Sequence, residues 1–74
     1  MLKLNNIEQI KGKTFRHYKG GIYTCMDLAM HSEDGSILVI YKAHSDGTLW
    51  ARPLEMFLEI VSHNESIVAR FEPL

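Results

Sequence analysis

The chain has 74 residues, 46% of them hydrophobic and 23% charged, with a formal net charge of −1. That length predicts one domain over residues 1–74 and leaves no room for a second. The near-neutral balance argues against broad non-specific attraction to nucleic acid, and no apolar run approaches the ~20 residues that span a membrane.

The first residues, Met1-Leu2-Lys3-Leu4-Asn5-Asn6, lack the apolar core of a secretory signal, so the expected location is cytoplasmic. Asn6-Ile7-Glu8-Gln9 has the spacing of a capping box, and Gly12 suits a left-handed stop. A short N-terminal helical turn within residues 1–11 follows. From Thr14 the signals become those of strands. Residues 14–18 are rich in aromatic and β-favouring types, and Gly20-Gly21 interrupts them. Residues 22–31 then alternate. Ile22, Thr24, Met26, Leu28 and Met30 fall on one side, Tyr23, Cys25, Asp27, Ala29 and His31 on the other. Cys25 is the single cysteine, which excludes an internal disulfide; its apolar surroundings favour packing over nucleophilic chemistry.

Asp34-Gly35 reads as a hairpin turn, residues 37–43 as a β-branched central strand, and Asp46-Gly47 as a second turn. Residues 48–52 return as the third strand of a meander. Pro53 stops that strand and suits the first position of a helix. Leu54, Phe57, Leu58 and Val61 recur at helical spacing, so about two turns are expected over residues 53–60. Residues 62–66 read as a turn, 67–71 as a last short strand and 72–74 as a tail. The whole is a mainly β chain of about five short antiparallel strands, with a short helix before the last. Bending into a small barrel would remove long unpaired edges, and a meander packed on one helix is the alternative.

Several stretches carry a family resemblance. They are Phe15-Arg16-His17-Tyr18-Lys19-Gly20-Gly21-Ile22-Tyr23, Ala29 to His31-Ser32, Val39-Ile40-Tyr41, Leu49-Trp50-Ala51-Arg52-Pro53-Leu54-Glu55-Met56-Phe57 and Arg70-Phe71. In this order they resemble the bacterial and phage family called domain of unknown function 1653, over roughly residues 12–72. The resemblance implies a compact SH3-like β-barrel and no established activity. Ala69 departs from the family pattern where a proline often precedes Arg-Phe, and Ala51 replaces a larger aliphatic residue.

The residues matching that pattern with chemistry to offer are Arg16, His17, Tyr18, Lys19, Tyr23, His31, Tyr41, Trp50, Arg52 and Arg70. Trp50 and Arg52 stand two apart on a strand and should share a face. Strand alternation sets Arg16 and Tyr18 against His17 and Lys19. Tyr23 and His31 share a face unless a bulge intervenes. Trp50 and Tyr41 suit barrel packing as well as a ligand, and Arg52 and Arg70 suit an ion pair with Glu55, Asp27 or Glu72 as well as an anion. Phe57 and Phe71 are assigned to the core. His17, His31, His44 and His63 match no metal-ligand spacing, and no nucleophile elbow or phosphate-binding glycine loop is present.

Three functions fit these residues. The first is a binding module taking a nucleotide, a nucleic-acid end, short single-stranded nucleic acid or another planar or anionic group through Arg16, His17, Lys19, Tyr23, His31, Tyr41, Trp50, Arg52 and Arg70. The second is a protein-interaction module, binding a peptide or a second copy of itself. The third, ranked last, is a small enzyme with His17 or His31 as acid–base groups. No catalytic set, metal or cofactor is expected.

Overall fold

Two Asp-Gly turns organise the middle of the molecule, which is a computed structural model describing residues 9–74. Strands β1 (Thr14–His17), β2 (Ile22–Met30), β3 (Ile37–Ala43) and β4 (Leu49–Pro53) form an antiparallel meander. At its turns Gly35 and Gly47 adopt φ of 72° and 74°, a region that costs other residues strain. Each preceding aspartate braces its turn. Asp34 Oδ1 accepts the Ser36 N–H at 2.9 Å, and Asp46 Oδ1 the Thr48 N–H at 3.0 Å. The bonds from Ser36 and Thr48 hold the two carboxyls below their usual range.

Beyond β4 come a one-turn helix α1 (Leu54–Phe57) and strands β5 (Ile60–His63), β6 (Ser66–Ala69) and β7 (Phe71–Pro73). β7 returns to pair with β1, so the main sheet runs β4-β3-β2-β1-β7, while β5 and β6 form a separate hairpin. In a flat sheet β4 and β7 would lie about 19 Å apart, four strand spacings. Yet the Arg52 guanidinium of β4 sits 5.8 Å from the Phe71 ring of β7. The sheet is therefore curled until its edges nearly meet.

The curl wraps an aromatic core. Phe15, Cys25, Val39, Tyr41, Leu54, Phe57 and Phe71 are buried together. Phe57 stacks on Phe71 at 4.2 Å and meets Phe15 edge-on at 5.1 Å, so α1 plugs the space between the edge strands. Cys25 is fully buried there, and burial pushes its thiol pKa up, which suits packing rather than reactivity. No helix among the described residues is long and apolar enough to cross a membrane.

The mainly β fold with its meander and short helix is as expected, but its second half differs in detail. The helix is one turn instead of two. Pro53 caps it from the end of β4, and Glu59 already belongs to the hairpin, its carbonyl accepting the Arg70 N–H at 2.8 Å. The expected turn over residues 62–66 and strand over 67–71 resolve into the β5–β6 hairpin and β7. The hairpin turns at Asn64 and Glu65, with φ of 50° and 66°. That is the two-residue pairing of a type I′ turn, but glutamate at the second position hides it in sequence. Residues 72–74 are no free tail: Glu72 and Pro73 lie in β7, and the Leu74 N–H bonds the Thr14 carbonyl at 3.0 Å. Pro73 is tolerated because β7 is an edge strand. Most of the helical turn expected within residues 1–11 lies outside the described residues; inside them Gly12 has φ of 78° and Ile10 packs on the core.

Arg70 links the two sheets. Its N–H bonds Glu59 of the hairpin, and its carbonyl accepts the Tyr18 N–H beyond β1 at 3.0 Å. The chain therefore passes from one ladder to the other at a single residue.

Candidate functional site

Cross-strand register places Tyr41 opposite Trp50 and Val39 opposite Arg52. Opposed residues of antiparallel strands share a face, so Trp50 and Arg52 both belong to the concave side. Val39 and Tyr41 are buried beneath them, while Trp50, at the rim, keeps 51% of its surface exposed. Arg52 is held from two sides. Its Nε donates to the Tyr41 hydroxyl at 3.3 Å, and its guanidinium lies over the Phe71 ring. Among the described residues no carboxylate pairs with it.

The opposite wall comes from β1, β2 and β7. His17 stands opposite Phe71 in the β1–β7 ladder, with ring centroids 4.9 Å apart, and 6.4 Å from the Tyr23 ring. His17, Tyr23, Tyr41, Trp50, Arg52 and Phe71 together enclose a cleft of about 160 Å³. His17 Nδ1 accepts the Lys19 N–H at 3.1 Å, so the neutral ring carries its proton on Nε2.

The cleft has a positive field. Partial burial, then the charges of Arg52, Arg70 and Lys19, lower the His17 pKa from its ordinary 6.5. An unfolded chain would therefore take up this proton first as pH falls. Stability is expected to decline as pH drops through 6.5 towards the lowered pKa, and to level off below it. Urea midpoints at pH 7.5 and 5.5 test this: His17→Gln should remove part of the decline. A variant slope equal to wild type would mean that His17 is not the group responsible.

A second cleft of about 290 Å³ adjoins the first across His17, between the outer side of β1 and the β5–β6 hairpin. Arg16, Tyr18, His63 and Glu72 are on its walls. Tyr18 meets His17 at 4.7 Å and His63 at 5.1 Å, and Lys19 Nζ lies 5.7 Å from the Tyr18 ring centre.

The residues singled out in sequence thus divide. His17, Tyr23, Tyr41, Trp50 and Arg52 converge on one cleft, and Arg16 and Tyr18 line its neighbour, with Lys19 beside them. His31 does not join them. β2 bulges between Cys25 and Asp27, which pair with Tyr41 and Ile40, and the phase of the strand flips there. His31 ends up about 25 Å along the chain from Tyr23, at the β2–β3 turn. There its Nδ1 accepts the Glu33 N–H at 3.1 Å and lies 3.9 Å from Asp34. Arg70 pairs with Glu59 at 2.6 Å, not with Glu55, Asp27 or Glu72, and acts on the cleft only through its charge. His44 bonds Thr24 Oγ1 at 2.7 Å. Among the described residues no three His, Cys, Asp or Glu side chains gather as a metal site.

Sequence reasoning missed two contributors. Phe71, a core residue by sequence, also floors the first cleft. His63, read as part of a turn, ends β5 and faces Tyr18; only recognition of the hairpin could have found it.

A family model described as "Protein of unknown function (DUF1653)" matches residues 13–73. The fold is similar to a crystal structure of a protein of the same family from Bordetella bronchiseptica, with a TM-score of 0.80. The two sequences are 24% identical, and the match covers 90% of each chain. No curated protein matches.

Proposed function

The chain belongs to the DUF1653 family of unknown function, and on that premise we propose that it is a binding module whose Trp50–Arg52–His17 cleft takes a nucleotide or the end of a nucleic-acid strand. The observation that carries this reading is the half-exposed Trp50 ring beside a braced guanidinium with no carboxylate partner among the described residues. A base can stack on the indole while its phosphate meets Arg52 and the His17 Nε2–H. At about 160 Å³ the cleft is smaller than sites that enclose a whole drug-sized ligand, and fits one planar group. A net charge of −1 favours such a local contact over a long charged track.

Trp50 is the only tryptophan, so its emission reports the site directly. Titration with adenosine 5′-monophosphate should quench it saturably, and adenosine or inorganic phosphate alone should act only at higher concentration. No response to the nucleotide from the folded protein would reject this reading.

A second reading rests on the hairpin. Ile60 and Ile67 lie on one outer face of β5–β6, 65% and 77% exposed, as in a protein-binding surface or homodimer contact. Sedimentation velocity would support it through a concentration-dependent dimer lost in Ile67→Asp; a monomer at all concentrations would remove the homodimer form.

A further inference from the structure

The two clefts are joined by a continuous series of rings. From the floor of the first cleft, Phe71 meets His17 at 4.9 Å, His17 meets Tyr18 at 4.7 Å, and Tyr18 meets His63 at 5.1 Å. Two cations flank the series, Arg52 at 5.8 Å from Phe71 at one end and Lys19 at 5.7 Å from Tyr18, the ring before His63. His17 lines both clefts.

We infer that the ligand of this module is a single strand of at least two nucleotides, one base stacked at Trp50 and the next seated in the Tyr18–His63 cleft. This rests on the nucleotide reading of the first cleft and adds the class of its ligand. Aromatic faces interleaved with cations are the usual means of holding single-stranded bases and their phosphates. The second cleft, about 290 Å³ and open beside the first, has room for the next base. Arg16 on its wall stands opposite Glu72 in the β1–β7 ladder and offsets that carboxylate, so the linking phosphate falls to Lys19 at the Tyr18 ring. A mononucleotide would leave Tyr18, His63 and Lys19 unused.

The test compares adenosine 5′-monophosphate with the 5′-phosphorylated diadenylate by Trp50 emission and calorimetry. The dinucleotide should bind about five- to 150-fold tighter, the gain of one added base–aromatic stack. Its affinity should also fall with salt more steeply than the mononucleotide's, by about 0.7 in log–log slope for the added phosphate. Tyr18→Ala should remove the dinucleotide's advantage. Lys19→Gln, at an exposed position, should remove the extra salt dependence even if Tyr18→Ala fails to fold. The deoxyribose dinucleotide identifies the source: tighter binding marks DNA as the natural strand, and weaker binding marks RNA.

Equal affinities for the two nucleotides, unaffected by Tyr18→Ala or Lys19→Gln, would overturn the strand inference and leave the single-nucleotide reading standing. No binding of either nucleotide would overturn both. Binding of an acidic peptide in their place would point to a protein partner.

Discussion

Arg52→Ala is expected to weaken adenosine 5′-monophosphate binding about ten- to a hundredfold, the loss of a charge-assisted hydrogen bond worth about 1.5–3 kcal/mol. The size of the effect follows from how the side chain is held. A free surface arginine loses rotamer entropy when it grips an anion. Here the Tyr41 hydroxyl at 3.3 Å and the Phe71 face at 5.8 Å already restrict it, so that entropy is spent in folding and not in binding. Arg52→Lys keeps the charge but loses the planar fork, and should recover only part of the affinity. Because Arg52 also covers Phe71, the urea midpoints of both variants must be compared with wild type. A folded Arg52→Ala protein with unchanged affinity would show that the nucleotide does not sit in this cleft.

Phe57→Ala is expected to cost about 3–5 kcal/mol of stability, as truncation of a buried phenylalanine does. Phe57 is 1% exposed, stacks on Phe71 at 4.2 Å, and meets Phe15 and Tyr41 at 5.1 and 5.5 Å. Its removal opens a cavity between the sheet edges, and the curled sheet cannot collapse into it without uncurling. Small domains have about 5–15 kcal/mol of stability in total, so the variant should be largely unfolded well below the wild-type melting temperature. Thermal and urea unfolding followed by circular dichroism measure this. A loss under about 1 kcal/mol would mean that α1 does not brace the curled sheet. Phe71 also floors the cleft, so loosening Phe57 should weaken nucleotide binding even in the folded fraction.

Local chemistry was legible in sequence wherever one residue type dictates one backbone state. Asp34-Gly35 and Asp46-Gly47 turn as their types demand, and the meander between them follows. Trp50 and Arg52 share a face because strand alternation allows nothing else. The same alternation failed for His31, because a bulge shifts the phase of β2 and nothing in Cys25-Met26-Asp27 announces it. It was blind to the hairpin because Glu65, a poor residue for positive φ, sits at its turn.

By itself the sequence determined the turns, the strand faces and the aromatic residues available for a core, since each depends on neighbours a few positions apart. The site needed the tertiary structure. Trp50 of β4, His17 of β1 and Phe71 of β7 meet only because the sheet curls around Phe57 and brings its two edges together. Closure of that kind depends on how buried rings fill a shared volume. That is a property of residues up to 54 positions apart in the chain, and local spacing does not encode it.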